Sequence, residues 1–335
     1  MPNWAGRNTK RCSNVCTFFL KVGGRNLPAL HLLLPEEQLA WRMKGDVAAT
    51  LLLRSSEYRK TFSTVLNRVY QQSDVRPQKS LVALAHSRLV TNGRAERPEN
   101  NQPVQHGQAN VVHNGIIVNV DELWESNQHL QRRAEVDTEV IAALLDEAMT
   151  ITGDMVAAMQ AVFGKLQGAA SIAWTCAAMP AVGLATNTGD LFLARSRDNV
   201  VAVFGSERFI LSTALAGAGS SDAWGPVVQL PPGKGLSVSF DPADRCSGSF
   251  FNLADGPVQK GLAPGCARPE VVIEDLEISR QAAPLSVIMR EADLSLLRYS
   301  ETTVAELRRC ARCVLPETFP FIQFDSQGVC NYCHG

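Results

Sequence analysis

The chain has 335 residues, 45% of them apolar and 19% charged, with a formal net charge of −1 at pH 7. That length suits one large domain with a smaller one, or two modest ones, and the apolar share is enough to bury a sizeable core. A near-neutral balance gives no electrostatic footprint for nucleic acid or an anionic membrane, and no apolar run approaches the roughly 20 residues that span a bilayer.

Residues 1–45 read as an atypical N-terminal segment with Gly-Gly and Pro punctuation, a first strand after residue 15 and a helix from Pro35 onward. The apolar run Val15–Leu20 stops at Lys21, too short for the core of a signal peptide. Residues 46–70 carry helical spacing at Val47, Leu51, Leu52 and Leu66. Leu81–Ala85 predicts a buried strand that ends at His86 and Arg88. Asn110–Asn119 reads as strand, tight Asn-Gly turn and strand, and Asn119 with Glu122 as a capping box that opens a short helix.

Helices are expected over 137–150 and 154–167, broken at Gly153-Asp154. A β texture follows over 169–177, 183–195 with a turn at Asn187-Thr188-Gly189, 200–205, and 227–240 around Pro231-Pro232-Gly233. Strands, a helix pair and more strands predict an α+β fold of two sheets between helical layers. The main domain is therefore expected over 46–240, a linker over 241–305 with a charged helical stretch near 289–308, and a separate unit over 306–335.

Three motifs inside the main domain carry chemistry. They are His-Ser-Arg-Leu-Val-Thr-Asn-Gly (86–93), Val-Val-His-Asn-Gly-Ile-Ile (111–117) and Asp-Thr-Glu-Val-Ile (137–141). Taken singly, Asn114-Gly115 is a common hairpin turn, Asp137 a helix N-cap, Arg88 a surface arginine, and His86 and His113 strand-end residues. In this order they resemble the class II glutamine amidotransferases of the N-terminal-nucleophile type. The resemblance implies a four-layer αββα sandwich and L-glutamine as substrate. Arg88 offers a planar fork for the α-carboxylate and Asp137 a counter-charge for the α-ammonium. By the family pattern, the Asn114 side chain and the Gly115 backbone N–H would hold the oxyanion, and Thr91 and Asn92 would add substrate contacts.

The attacking thiol of that class belongs to the first residue of the mature chain, whose free amine is the base. Here Met1 is followed by Pro2. Cys16, heading Cys-Thr-Phe-Phe-Leu-Lys-Val-Gly-Gly, is the candidate nucleophile if residues 1–15 are a propeptide; Cys12 lacks an apolar strand behind it. The alternatives are a non-catalytic relative and a non-native N-terminus.

Of the nine cysteines, four fall near the C-terminus as Cys310-x2-Cys313 and Cys330-x2-Cys333. With no export signal, that spacing predicts a structural zinc ribbon in a reducing, cytoplasmic setting. The segments Cys310–Thr318 and Phe324–Cys333 resemble the opening of N-acetyl sugar amidotransferases of surface-polysaccharide pathways, in which an ATP-pyrophosphatase domain follows. The resemblance implies a glutaminase half that feeds ammonia to such a synthase domain or subunit. The rival expectation is a catalytically inactive, zinc-bearing scaffold for that synthase.

Overall fold

The computed structural model describes residues 15–20, 27–45, 47, 49–70, 78–88, 93–94, 97–177, 179–218, 221–256, 271–277, 306–319 and 322–334. They fall in two compact units, Met1–Arg280 and Gln281–Gly335. Within the first lie β1 (Val15–Leu20), β2 (Leu27–Leu34), β3 (Leu39–Lys44), α1 (Ala49–Leu52), α2 (Ser56–Tyr70) and β4 (Leu81–Arg88). Next come β5 (Val104–His106), β6 (Ala109–Ile117), α3 (Val120–Ser126), α4 (Asp137–Thr152) and α5 (Met155–Phe163). The remainder is β7 (Gly168–Cys176), β8 (Ala181–Thr186), β9 (Phe192–Arg195), β10 (Ala202–Gly205), α6 (Arg208–Gly217), β11 (Val228–Gln229), β12 (Lys234–Ser239), β13 (Gly248–Asn252) and β14 (Val272–Glu277).

Among the described residues these strands form a five-stranded sheet, β1-β4-β2-β3-β14, a six-stranded sheet, β13-β12-β8-β7-β6-β5, and a small sheet of β10, β9 and β11. Period-two alternation decides what each face of the large sheets buries. On β2, Leu30, Leu32 and Leu34 join Trp41 and Met43 of β3 and meet Val65 and Val69 of α2. Leu33, on the opposite face, packs with Val82 and Leu84 of β4 against Val112, Ala173 and Leu184 of the six-stranded sheet. The far face of that sheet, with Val111, Ile172 and Trp174, is covered by Ile141, Leu144 and Leu145 of α4 and Met159 of α5. The mixed α+β expectation holds.

The helices follow local rules. The side chain of Asp154 accepts from Val156 N–H at 2.8 Å and Ala157 N–H at 3.0 Å, so it caps α5. Gly153 ends α4 with φ 64°, the left-handed conformation glycine adopts freely. Asp137 and Glu139 complement the positive end of the α4 dipole.

Several expectations need correction. Pro35 opens only a single 3-10 turn, Pro35–Glu37, and the chain reverses there into β3. The apolar alternation of β2 and β3 outweighs the helix signal of Pro-Glu-Glu. Asn114 and Gly115 form no turn: β7 pairs along β6, with Asn114 opposite Ser171 and Gly115 opposite Ala170, and keeps the strand extended. Asn119 makes no capping box. Its amide accepts from Gln167 N–H and donates to the Lys165 carbonyl, both at 3.0 Å, and so ties α3 to the α5–β7 connection. The second helix stops at Phe163, and α6 occupies a stretch for which no helix was expected.

Among the described residues, the segment 241–305, read as a linker, contributes two strands. β13 pairs with β12, and β14 lies parallel to β3 with Val272 opposite Leu39. A partner as distant as that of β14 leaves no short-range pattern. The helical stretch near 289–305 and the proposed propeptide, apart from Val15, lie outside the described residues. Among those described, no helix is long and apolar enough to cross a membrane.

Candidate functional site

β6 is paired by β7 along its full length, but β5 covers only Ala109–Val111. Beyond Val111 one edge of β6 is open, and antiparallel alternation turns the N–H groups of His113, Gly115 and Ile117 toward it. Two of the three are taken. The His113 N–H donates to Gln102 Oε1 at 2.6 Å, and the Ile117 N–H donates to Asp137 Oδ2 at 3.0 Å. Between them, the N–H of the exposed Gly115 has no side-chain or loop acceptor among the described residues. Only glycine fits there: φ is +146°, and a Cβ would lie 2.0 Å from the Ala169 carbonyl oxygen.

Asp137 stands at the start of α4, with its side chain 12% exposed. Burial pushes its pKa up, but His113 and the backbone N–H groups of Ile117 and Thr138 outweigh that and hold it below the usual carboxylate value. It is therefore an anion at neutral pH. The buried His113 ring braces it, with Nδ1 3.7 Å from Asp137 Oδ1 and Nε2 3.3 Å from the Ala169 carbonyl. An anionic carboxylate and an open backbone N–H thus share one strand end, an arrangement able to hold an ammonium and a polarised carbonyl on one small molecule.

The loop before α4 is fixed from two sides. Glu139, 2% exposed, accepts the N–H groups of Arg133 and Ala134, both at 2.7 Å. Asn100 accepts the Glu135 N–H at 2.8 Å and donates to Glu135 Oε2 at 2.9 Å. Glu135 also accepts the Arg94 N–H at 2.8 Å, and its carboxyl is held at about 2 chiefly by that bond and by Asn100. Of the residues expected at the site, Asp137 is tied through Ile117 to the end of β6, the strand on which Asn114 and Gly115 lie. Gln102, Asn100 and the structural part of Glu139 were missed. Glu139 lay inside the Asp-Thr-Glu motif, whereas nothing local marks Gln102 or Asn100.

Cys16 and Arg88 are placed by their strand backbones. β1 runs parallel to β4, with Cys16 opposite Val82 and Leu20 opposite His86, so Cys16 lies six positions from Arg88 along the pair. At strand rise that is about 20 Å. Thr91 and Asn92, like Cys12, lie outside the described residues.

In the second unit, the sulfurs of Cys310, Cys313, Cys330 and Cys333 all lie within 4.8 Å of one another. Cys310 and Cys333 are 3.9 Å apart, and Cys313 and Cys330 3.5 Å. A tetrahedral thiolate site with bonds of about 2.3 Å has edges of about 3.8 Å, so the four residues fit a metal ion. The N–H groups of Arg312, Cys313 and Cys330 converge on Cys310 Sγ at 3.4, 3.4 and 3.2 Å. Burial raises the Cys310 thiol, yet these donors bring it down to about 6. Hydrogen bonding to Cys313, with burial, pushes Cys333 up to about 12, as expected where a single anion is shared among adjacent thiols. His334 turns instead to Asp325, at 2.8 Å.

Over residues 86–213 the chain matches the glutamine amidotransferase domain family. Its similarity to named proteins lies with glutamine–fructose-6-phosphate aminotransferases (isomerizing). That of Zymomonas mobilis subsp. mobilis is 38% identical over 146 residues, 42% of this chain and 22% of the relative. That of Bordetella pertussis is 31% identical over 187 residues, 53% of this chain and 29% of the relative. The chain thus spans under a third of the length of these relatives. Among solved structures, the glutamine phosphoribosylpyrophosphate amidotransferase from B. subtilis aligns with a TM-score of 0.46 at 18% identity, over 70% of this chain and 44% of that one. A glutamine aminotransferase class-II domain protein from Silicibacter pomeroyi aligns at 0.40 and 13%, over 69% and 99%.

Proposed function

We propose that the chain is the glutamine-hydrolysing part of an amidotransferase, with the four-layer αββα arrangement of its class. The observation that carries this is the free Gly115 N–H on the open edge of β6, next to the Asp137 carboxylate. Asp137 binds the α-ammonium of L-glutamine, Arg88 the α-carboxylate, and Thr91 and Asn92 add contacts. The Asn114 amide and the Gly115 N–H stabilise the oxyanion. After removal of residues 1–15, the Cys16 thiol gives its proton to its own α-amine and the sulfur attacks the carboxamide carbon. The C–N bond then breaks, the protonated amine donates to the departing nitrogen, and ammonia leaves. Water hydrolyses the thioester to glutamate. The ammonia is passed to an ATP-pyrophosphatase-type synthase that amidates an N-acetyl sugar in cytoplasmic steps of surface-polysaccharide synthesis. Zinc is the metal of the four-cysteine cluster, which its thiolate donor set and spacing favour.

One observation favours a second reading, an inactive glutamine-binding scaffold that carries the synthase. In the unprocessed chain Cys16 stands opposite Val82, at the far end of β4 from Arg88. The active reading therefore requires β1 to change its pairing once residues 1–15 are gone. The test is intact mass before and after reaction with a glutamine-mimicking electrophile. Loss of residues 1–15 with a single adduct on Cys16 supports the glutaminase; an uncleaved and unlabelled chain supports the scaffold.

A further inference from the structure

The loop over 97–103 touches both halves of the glutamine site. At one end Gln102, 7% exposed, gives its amide oxygen to the His113 N–H at 2.6 Å, at the first position of β6 that β5 leaves uncovered. At the other, the fully buried Asn100 clasps Glu135, two residues before Asp137, with its oxygen on the Glu135 N–H and its nitrogen on the Glu135 carboxylate. Asn100 also donates to the Arg94 carbonyl at 2.9 Å, and Arg97 reaches Glu135 Oε1 at 3.0 Å. A short loop thus holds both the strand that presents the Gly115 N–H and the loop that presents Asp137.

We propose that Gln102 is a positioning residue for the oxyanion donor. It satisfies the His113 N–H without adding a strand, so the edge of β6 is held rigid at His113 and stays open at Gly115. A backbone partner would have continued the β5 ladder and consumed the Gly115 N–H as well. A side chain two residues before β5 ends the ladder at one bond. Asp137 performs the matching task on the Ile117 N–H. The donor between them is therefore fixed at both flanks, as preorganised charge stabilisation requires. Asn100 joins this brace to the ammonium-binding loop, so the spacing between carboxamide and ammonium contacts is set by one element.

This inference rests on the glutaminase reading, and its test separates the two. Gln102→Leu removes the acceptor at similar volume, and Gln102→Glu keeps an acceptor oxygen. In the processed full chain, Gln102→Leu should lower kcat by about tenfold to a hundredfold, the order seen when an oxyanion donor is displaced. KM should change little, and Gln102→Glu should recover most of the loss. Equal loss in both variants, or a parallel rise in KM with unchanged kcat, would overturn the proposal. If the wild-type chain has no glutaminase activity, the functional reading fails, and amide hydrogen exchange at His113 decides the positioning claim by itself. Exchange at His113, and at Ile117 on the other side of Gly115, should accelerate in Gln102→Leu and return in Gln102→Glu; unchanged protection would contradict it.

Discussion

The carboxylate of Asp137 accepts the backbone N–H of Ile117 at 3.0 Å, which pins the first turn of α4 to the end of β6. One oxygen is thereby committed to structure, while the other faces His113 and the partly exposed side. Asp137→Asn keeps an acceptor for Ile117 and removes the charge. The expected result is a fold within about 1 kcal/mol of the parent and glutamine affinity weakened by about tenfold or more, the scale of a hydrogen bond to a charged group. Thermal unfolding and ligand titration check the two halves separately.

The same carboxyl has a depressed pKa, so its contribution is present above the unfolded value and lost as pH falls through the lower, folded one. Glutamine binding should accordingly stay level through the mildly acidic range and decline only below the ordinary aspartate pKa. A decline centred near pH 6.5 would assign the dependence to a histidine instead.

Gly115 offers a steric test. A methyl group there would meet the Ala169 carbonyl at 2.0 Å and His113 Nε2 at 2.9 Å, on a backbone with φ +146°. Gly115→Ala should destabilise the first unit by about 1–3 kcal/mol, as overpacking does, and abolish turnover. Differential scanning calorimetry and an ammonia-release assay read the two effects.

Stability against pH is shaped on the inner face of the five-stranded sheet. His31, 1% exposed, stands opposite Arg42 and is held at about 3, first by burial and then by Arg42 and Lys44. Lys44, whose Nζ donates to the Pro98 carbonyl at 3.2 Å, is held at about 7, again chiefly by burial. Both groups bind fewer protons folded than unfolded, so stability should rise with pH between about 3 and 6.5 for His31 and between about 7 and 10.5 for Lys44. Lys44→Met should flatten the second interval in urea-unfolding curves; an unchanged slope there would rule out Lys44 as its origin.

The cysteine cluster predicts a metal-dependent fold. The described part of the second unit has a 3-10 turn, Asn331–Cys333, two isolated β-bridges, Arg309 to Pro316 and Phe324 to Cys330, and little apolar core. A strong chelator, or Cys330→Ser, should unfold it and leave the first unit's melting transition in place. Elemental analysis should give one metal ion per chain, lost in the variant.

Motif order revealed more than periodicity did. Asn114, Gly115 and Asp137 stood out in the sequence as motif residues, and the structure ties Asp137 to the end of the strand that carries Asn114 and Gly115. α4 and β7 were legible because apolar spacing and glycine punctuation agree at their ends. The pairing of β14 with β3 was not, since its partners stand 233 residues apart. Asn114-Gly115 was misread as a turn because its local preference is real, and the β7 ladder overrides it. Gln102 left no signal at all: a glutamine that caps one distant N–H resembles any polar loop residue.

The most direct measurement is calorimetric titration of L-glutamine into the purified chain, with Asp137→Asn and D-glutamine as controls. The account predicts saturable binding of one L-glutamine per chain, weakened by Asp137→Asn and absent for the D isomer, whose α-groups cannot reach both charges. Binding of neither isomer, or equal binding by the variant, would contradict a glutamine site built on Asp137 and Gly115.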